Sequence, residues 1–216
     1  MTPNVRRRAV LAHSVGGLLA ASSLGATARA AGRNAAGPPA GAGWRRVEGP
    51  GLDIGTGTGS AARTMAADTV EGPYRLVSVR NGRYVSTEVS YAAPYTGLLR
   101  ARSQTAGGSW EKYWFDWDNA SESYALRSAA TDLYVAVEKS WTGADNGLLR
   151  ARSAGAGGWE RFSVWFNDTT GHYVLQAHAN GLFVAMENSY TGIRQYALRA
   201  RSSDANGTWE AFDIED

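Results

Sequence analysis

From residue 74 onward the apolar positions of the chain fall into short alternating runs. Tyr74-Arg75-Leu76, Tyr124-Ala125-Leu126 and Tyr173-Val174-Leu175 each open such a run, at successive offsets of 50 and 49 residues. Alternation with a period of two puts one face of a strand against a core, and no window carries the sustained 3.6-residue stripe of an amphipathic helix. Further segments recur behind each opening in a fixed order. An aromatic-Val-x-x-Glu segment ends on Glu88, Glu138 or Glu187, and Leu-Arg-Ala-Arg-Ser starts at Leu99, Leu149 or Leu198. A Trp-Glu-x-aromatic segment then starts at Trp110, Trp159 or Trp209. The pattern therefore predicts three repeats, 74–123, 124–172 and 173–216, each of four strands.

Asn81-Gly82 and Asn180-Gly181 stand between the first two strands of repeats one and three, where a two-residue hairpin with positive φ is expected; the middle repeat has Thr131-Asp132. Three units are too few for a propeller, which needs about 4 to 8 blades, and they suit a β-trefoil. Six strands would close a barrel and three hairpins would cap it, leaving no sheet edge free to recruit another chain. The expected core is Leu76, Leu126, Leu175, Val85, Val135, Val184, Leu99, Leu149 and Leu198, with Trp110, Trp159 and Trp209. The arginines of Leu-Arg-Ala-Arg-Ser alternate with these apolar residues and are expected on an outward, solvated or salt-bridged face.

The first 73 residues read differently. Arg6 to Arg8 form a basic start, residues 9–21 a weakly apolar run, and Ala28-Arg29-Ala30 a small-x-small cleavage signal. Residues 1–30 are thus expected to be an export leader of bacterial, twin-arginine-like type, and the protein to be secreted. The run falls short of the ~20 apolar residues of a membrane span. Residues 31–73, rich in Gly, Ala and Pro, are read as a linker, within which Trp44 and Val47 offer material for a local element. Removing the leader takes four of the 22 basic side chains, leaving 18 against 20 acidic ones and a net charge of −2. That balance removes the basic footprint expected of a nucleic-acid binder. With no cysteine and three histidines in 216 residues, thiol catalysis, disulfides and His/Cys metal clusters lack their ligands. No cofactor is expected, and a monomer is.

The candidate chemistry lies in the repeats. Three residues after each Glu comes an aromatic, giving the pairs Glu88/Tyr91, Glu138/Trp141 and Glu187/Tyr190. A pyranose ring has an apolar C–H face and a rim of hydroxyls, so a flat aromatic can stack on the one while a carboxylate accepts from the other. The opposing reading of the same glutamates is structural, as ion pairs with Arg100, Arg150 and Arg199.

The succession of Tyr-Val-x-x-Glu, Leu-Arg-Ala-Arg-Ser and Trp-Glu-x-Phe resembles the fascin-like β-trefoils across residues 74–216. That family includes the tandem-trefoil actin-bundling fascins and secreted bacterial modules that bind β-1,3- and β-1,6-glucans through a Glu and an aromatic in each of three sites. The resemblance is to the second group, although Tyr91 and Tyr190 stand where that group often has Trp. It implies a secreted, non-catalytic module with three β-glucan sites at the six residues above. Actin is not expected as a partner of an exported chain. A protein-binding scaffold and an accessory to a glycoside hydrolase are the alternatives. Hydrolysis itself calls for two unlike carboxylates, roughly 5 to 9.5 Å apart, whereas threefold copies give each carboxylate the same surroundings.

Overall fold

The computed structural model describes residues 37–49, 51–52 and 68–216; the expected leader lies outside them. Among the described residues, thirteen strands run in chain order. They are β1 (Trp44–Arg46), β2 (Thr69–Ser78), β3 (Arg83–Glu88), β4 (Leu98–Ser103), β5 (Tyr113–Asp118), β6 (Ser123–Ser128) and β7 (Tyr134–Val137), followed by β8 (Leu149–Ser153), β9 (Arg161–Asn167), β10 (Tyr173–Ala177), β11 (Phe183–Met186), β12 (Leu198–Ser202) and β13 (Phe212–Glu215).

The first and fourth strands of each repeat build the barrel, pairing antiparallel in the closed cycle β2-β5-β6-β9-β10-β13 and back to β2. The second and third strands form the hairpins β3–β4, β7–β8 and β11–β12, which close one end of it. Every hairpin carries a bulge one residue before its valine, at Tyr84/Val85, Tyr134/Val135 and Phe183/Val184, so the kink was copied with the repeat. The hairpins meet around the pseudo-threefold axis. There the N–H groups of Ala151, Ala200 and Ala101 donate to the carbonyls of Gly97, Gly147 and Tyr196, each at 2.8 Å. This is a β-trefoil.

The nine expected aliphatic core residues are all buried in one cluster. The tryptophans are not: Trp110 and Trp159 are 48% and 42% exposed, and Trp209 is half-buried. Each belongs to a short turn, at Ser109–Glu111 in the first repeat, and not to the strand that follows. Inward alternation starts only at the aromatic three residues later, so Tyr113, Phe162 and Phe212 fill the space assigned to the indoles.

Two further expectations need correction. Four residues, 79–82, join β2 to β3, and Gly82 N–H donates to Ser78 O at 2.8 Å, closing a wider turn than a two-residue hairpin. Gly82, Asp132 and Gly181 hold its left-handed position at φ of 64°, 58° and 74°, and in the middle repeat the Asp132 carboxylate is held by Arg127. The stretch read as linker is also not all spacer. Its residues Trp44–Arg46 pair with β9, Val47 and Leu52 are buried in the main core, and β2 begins at Thr69. The local element left open at Trp44 and Val47 is this strand and its apolar continuation.

Candidate functional site

The three glutamates end the second strands of their repeats, or follow them directly, on the face away from the barrel. Residues two apart on a strand share a face, so the two arginines of each Leu-Arg-Ala-Arg-Ser strand arrive beside the Glu while Leu and Ala turn into the core. Glu88, Glu138 and Glu187 are only 2 to 3% exposed. Arg102 grips both oxygens of Glu88, through Nε and through NH2 at 3.0 Å, and Arg100 approaches Oε1 at 3.4 Å. Oε1 of Glu138 accepts from Arg150 at 2.9 Å and from Arg152 at 2.6 Å. Oε1 of Glu187 lies 2.5 Å from Arg201 Nε and 3.6 Å from an Arg199 nitrogen. The structural ion pairs considered from sequence are therefore present, and each gains a second arginine. Its bond to Glu88 raises Arg102 above the ordinary guanidinium value.

A carboxylate so enclosed orients guanidinium groups. Arg102, Arg152 and Arg201 keep 31 to 44% of their side chains in solvent, so donors, not carboxylate oxygens, face outward. The paired aromatics stand over the inner arginines. Arg100 lies 5.7 Å from the Tyr91 ring centre and Arg150 lies 5.2 Å from that of Trp141. Arg199 donates to the Tyr190 hydroxyl at 2.9 Å. All three aromatics are half-buried, and Tyr91 and Trp141 rest on a second apolar cluster of Leu98, Leu148 and Ala197. The structure thus brings together all six site residues expected from sequence, as three copies of one aromatic, arginine and glutamate assembly.

The inner arginines also tie each repeat to the next. Arg100 Nε donates to Gln195 O at 2.7 Å, Arg150 Nε to Thr96 O at 3.0 Å, and Arg199 Nε to Asn146 O.

One assembly escaped the sequence reading. Tyr95, Asp145 and Arg194 occupy the same position of the three hairpin loops, 50 and 49 residues apart, and meet one another. Arg194 donates to both Asp145 oxygens at 2.5 and 2.8 Å, while the Tyr95 hydroxyl donates to Asp145 at 3.0 Å and accepts from Arg194 at 2.9 Å. These bonds, Arg194 foremost, hold the Asp145 carboxyl below its usual range, and Asp145 in turn raises Arg194. Tyr95 also meets Trp141 edge to face, with ring centres 5.7 Å apart. Identity between repeats cannot reveal this ring because its three residues differ; the equal offsets are the signal that could have found it.

No protein-family model matches the chain, and no curated protein matches it in sequence. Solved structures do match in fold. The designed threefold symmetric protein ThreeFoil superposes with a TM-score of 0.53 at 19% identity, covering 66% of this chain and 97% of that one. The ricin B-like lectin of Macrolepiota procera in complex with lactose gives 0.50 at 14% identity, covering 71% and 99%. A mosquitocidal holotoxin gives 0.53 at 13% identity over 69% of this chain but only 17% of its own. These likenesses are of fold, and the fold they share is the β-trefoil.

Proposed function

We propose that the protein is a secreted, non-catalytic saccharide-binding module whose three equivalent sites take β-glucan. The observation that carries this reading is the triplicate pairing of an aromatic face with outward guanidinium donors at Tyr91, Trp141 and Tyr190. An aromatic stacks on the C–H face of a pyranose, and fixed N–H donors serve its hydroxyls. Glu88, Glu138 and Glu187 act here by holding the arginines in place. The lactose complex of the Macrolepiota procera lectin supports a saccharide for this architecture. Three equally neutralised carboxylates do not separate an acid from a base, which favours binding over hydrolysis.

Each site alone is weak, while three on one rigid body facing a polymer raise retention by roughly 10²-fold or more. In a pull-down of the full chain on insoluble β-1,3-glucan, the wild type is expected in the pellet. Tyr91→Ala, Trp141→Ala and Tyr190→Ala are each expected to weaken retention, and the triple variant to stay in the supernatant. A triple variant that keeps its melting temperature and pellets like wild type would overturn the reading.

A further inference from the structure

The three tryptophans of the Trp-Glu-x-aromatic segments leave the core, and the structure shows what holds them out. The Glu after each indole is buried and fastens the turn from inside: Glu111 accepts from Ser103 Oγ at 2.8 Å, Glu210 from Ser202 Oγ at 2.5 Å, and Glu160 from Gly157 N–H at 2.9 Å. A single exposed indole on a protein surface needs no explanation. Three turned out of the core at one repeat position do, with Trp159 beside the outer arginine Arg152 and Trp209 lining a depression with Arg201.

The adjacency is direct. Trp159 O accepts from Val137 N–H at 3.0 Å and Trp209 O from Met186 N–H at 2.9 Å, so the backbone of these two tryptophans is tied to the residue before the site glutamate. In the middle repeat, Arg152 lies 6.0 Å from the Trp159 ring centre and bonds Glu138, which bonds Arg150, which lies under Trp141. An aromatic thus stands at either end of a guanidinium, carboxylate and guanidinium row. In the third repeat, Arg201, Ser202, Asp204, Asn206, Trp209 and Glu210 line an open depression on the same side. There Asp204 is fixed by the backbone N–H groups of Ala40 and Ala205, both at 2.8 Å. Arg80 stacks on Trp209 at 4.5 Å and backs that ring.

We infer that Trp110, Trp159 and Trp209 are a second stacking platform in each site, so that the sites read an extended stretch of saccharide chain and not a single sugar. The inference rests on the saccharide-binding reading above. One aromatic supports one pyranose face; two, separated by the arginine row, support two non-adjacent residues of the same chain, with the residues between them over the guanidinium groups, so a disaccharide reaches only the first platform. The ligand class is then an internal segment of a β-linked glucan chain, with the middle repeat, where both platforms are indoles, holding it most strongly.

Titration of the full chain with β-1,3-gluco-oligosaccharides of two to six residues, followed by calorimetry and by the indole N–H resonances, tests this. Wild-type affinity is expected to climb with chain length. The Trp110→Ala, Trp159→Ala, Trp209→Ala triple variant is expected to lose that climb, roughly ten-fold at six residues if each stacked ring is worth about what a base stacked on an aromatic is, and to bind the disaccharide as before. The corresponding Trp→Phe variant is expected to recover part of the climb. Melting temperatures control for folding. Equal binding of wild type and triple variant at every length overturns the second platform and leaves the sites at Tyr91, Trp141 and Tyr190 standing. Loss of disaccharide binding in the triple variant also overturns it, since the indoles would then be the first platform. A wild type that binds no oligosaccharide overturns the underlying reading itself.

Discussion

The glutamate clusters and the axial ring are both built from symmetry-related positions, yet the three copies are alike in one and unlike in the other. Glu88, Glu138 and Glu187 are the same residue three times, each with two arginines from the same strand motif. Tyr95, Asp145 and Arg194 are three different residues. The difference lies in who the neighbours are. Each glutamate takes its arginines from its own repeat, and the inner arginine's bond to another repeat ends on a backbone carbonyl, which any residue supplies, so duplication copies a solved problem. The ring positions face one another across the axis, where three carboxylates or three guanidiniums would repel and a mixture of donor, acceptor and counter-charge is satisfied. Symmetry is kept where a side chain meets its own repeat or a neighbour's backbone, and broken where equivalent side chains meet one another.

The sharpest way to break this comparison is to remove one self-sufficient cluster. Glu138→Ala leaves Arg150 and Arg152 facing each other without the carboxylate between them, in a site where the Glu is 3% exposed. Breaking a buried pair in this way is expected to cost about 3 kcal/mol, read as a fall in chemical-denaturation midpoint. The loss should be the same at Glu88 and Glu187, since the three clusters are copies. Unequal losses would show that the links from Arg100, Arg150 and Arg199 to the neighbouring repeats are not equivalent.

How much of this was legible from sequence follows the same division. Repetition exposes the strands of the three repeats, the nine aliphatic core residues and the six residues that the structure gathers with the arginines, because copying preserves them. It also misleads at Trp110, Trp159 and Trp209, since a repeated tryptophan looks like core; the residue that decides their direction is the next one, a glutamate that turns inward to Ser103 or Ser202. The second arginine of each cluster was visible only as half of an alternating pair assigned to an outward, solvated or salt-bridged face, and it is salt-bridged. The strand at Trp44–Arg46 carries no repeat signal, and its place is set by pairing with β9, 120 residues away. The axial ring is hidden from any comparison of identities, because meaning there lies in the combination of unlike residues, and only the equal offsets mark it.

A smaller test addresses the backbone that brings the three hairpins together. Gly97 and Gly147 sit at φ of 84° and 85°, while the equivalent Tyr196 carries a side chain at 62°. A Cβ on Gly97 would meet Ala151 O at 2.3 Å, and one on Gly147 would meet Ala200 O at 2.6 Å. Gly97→Ala and Gly147→Ala are therefore each expected to cost about 2 kcal/mol, from the sum of positive φ and the displaced carbonyl. Thermal unfolding would show it, and an unchanged transition in either variant would mean that the backbone there takes up a side chain as readily as the equivalent position takes that of Tyr196.

The smallest expected effect belongs to the ring itself. Its members are partly open to solvent, with 34% of the Arg194 side chain and 20% of the Asp145 side chain exposed, so the ion pair contributes less than a buried one. Asp145→Asn keeps the shape and the Tyr95 contact but removes the charge, for an expected loss of about 1 kcal/mol at neutral pH. The pH dependence identifies the source. Arg194 depresses the Asp145 carboxyl in the folded state, so the folded protein releases that proton more readily than the unfolded chain. A depressed carboxyl stabilises above its unfolded value, about 3.9, and the contribution fades as the pH falls through the folded value. Wild type and Asp145→Asn should therefore differ in melting temperature at pH 7 and converge as acid is added below about pH 4. The other depressed carboxyls, Asp118 and Asp204, are present in both proteins and cancel from the difference. A gap that persists unchanged into strong acid would mean that Asp145 acts through packing and hydrogen-bond shape, and that charge is not what set the three ring positions apart.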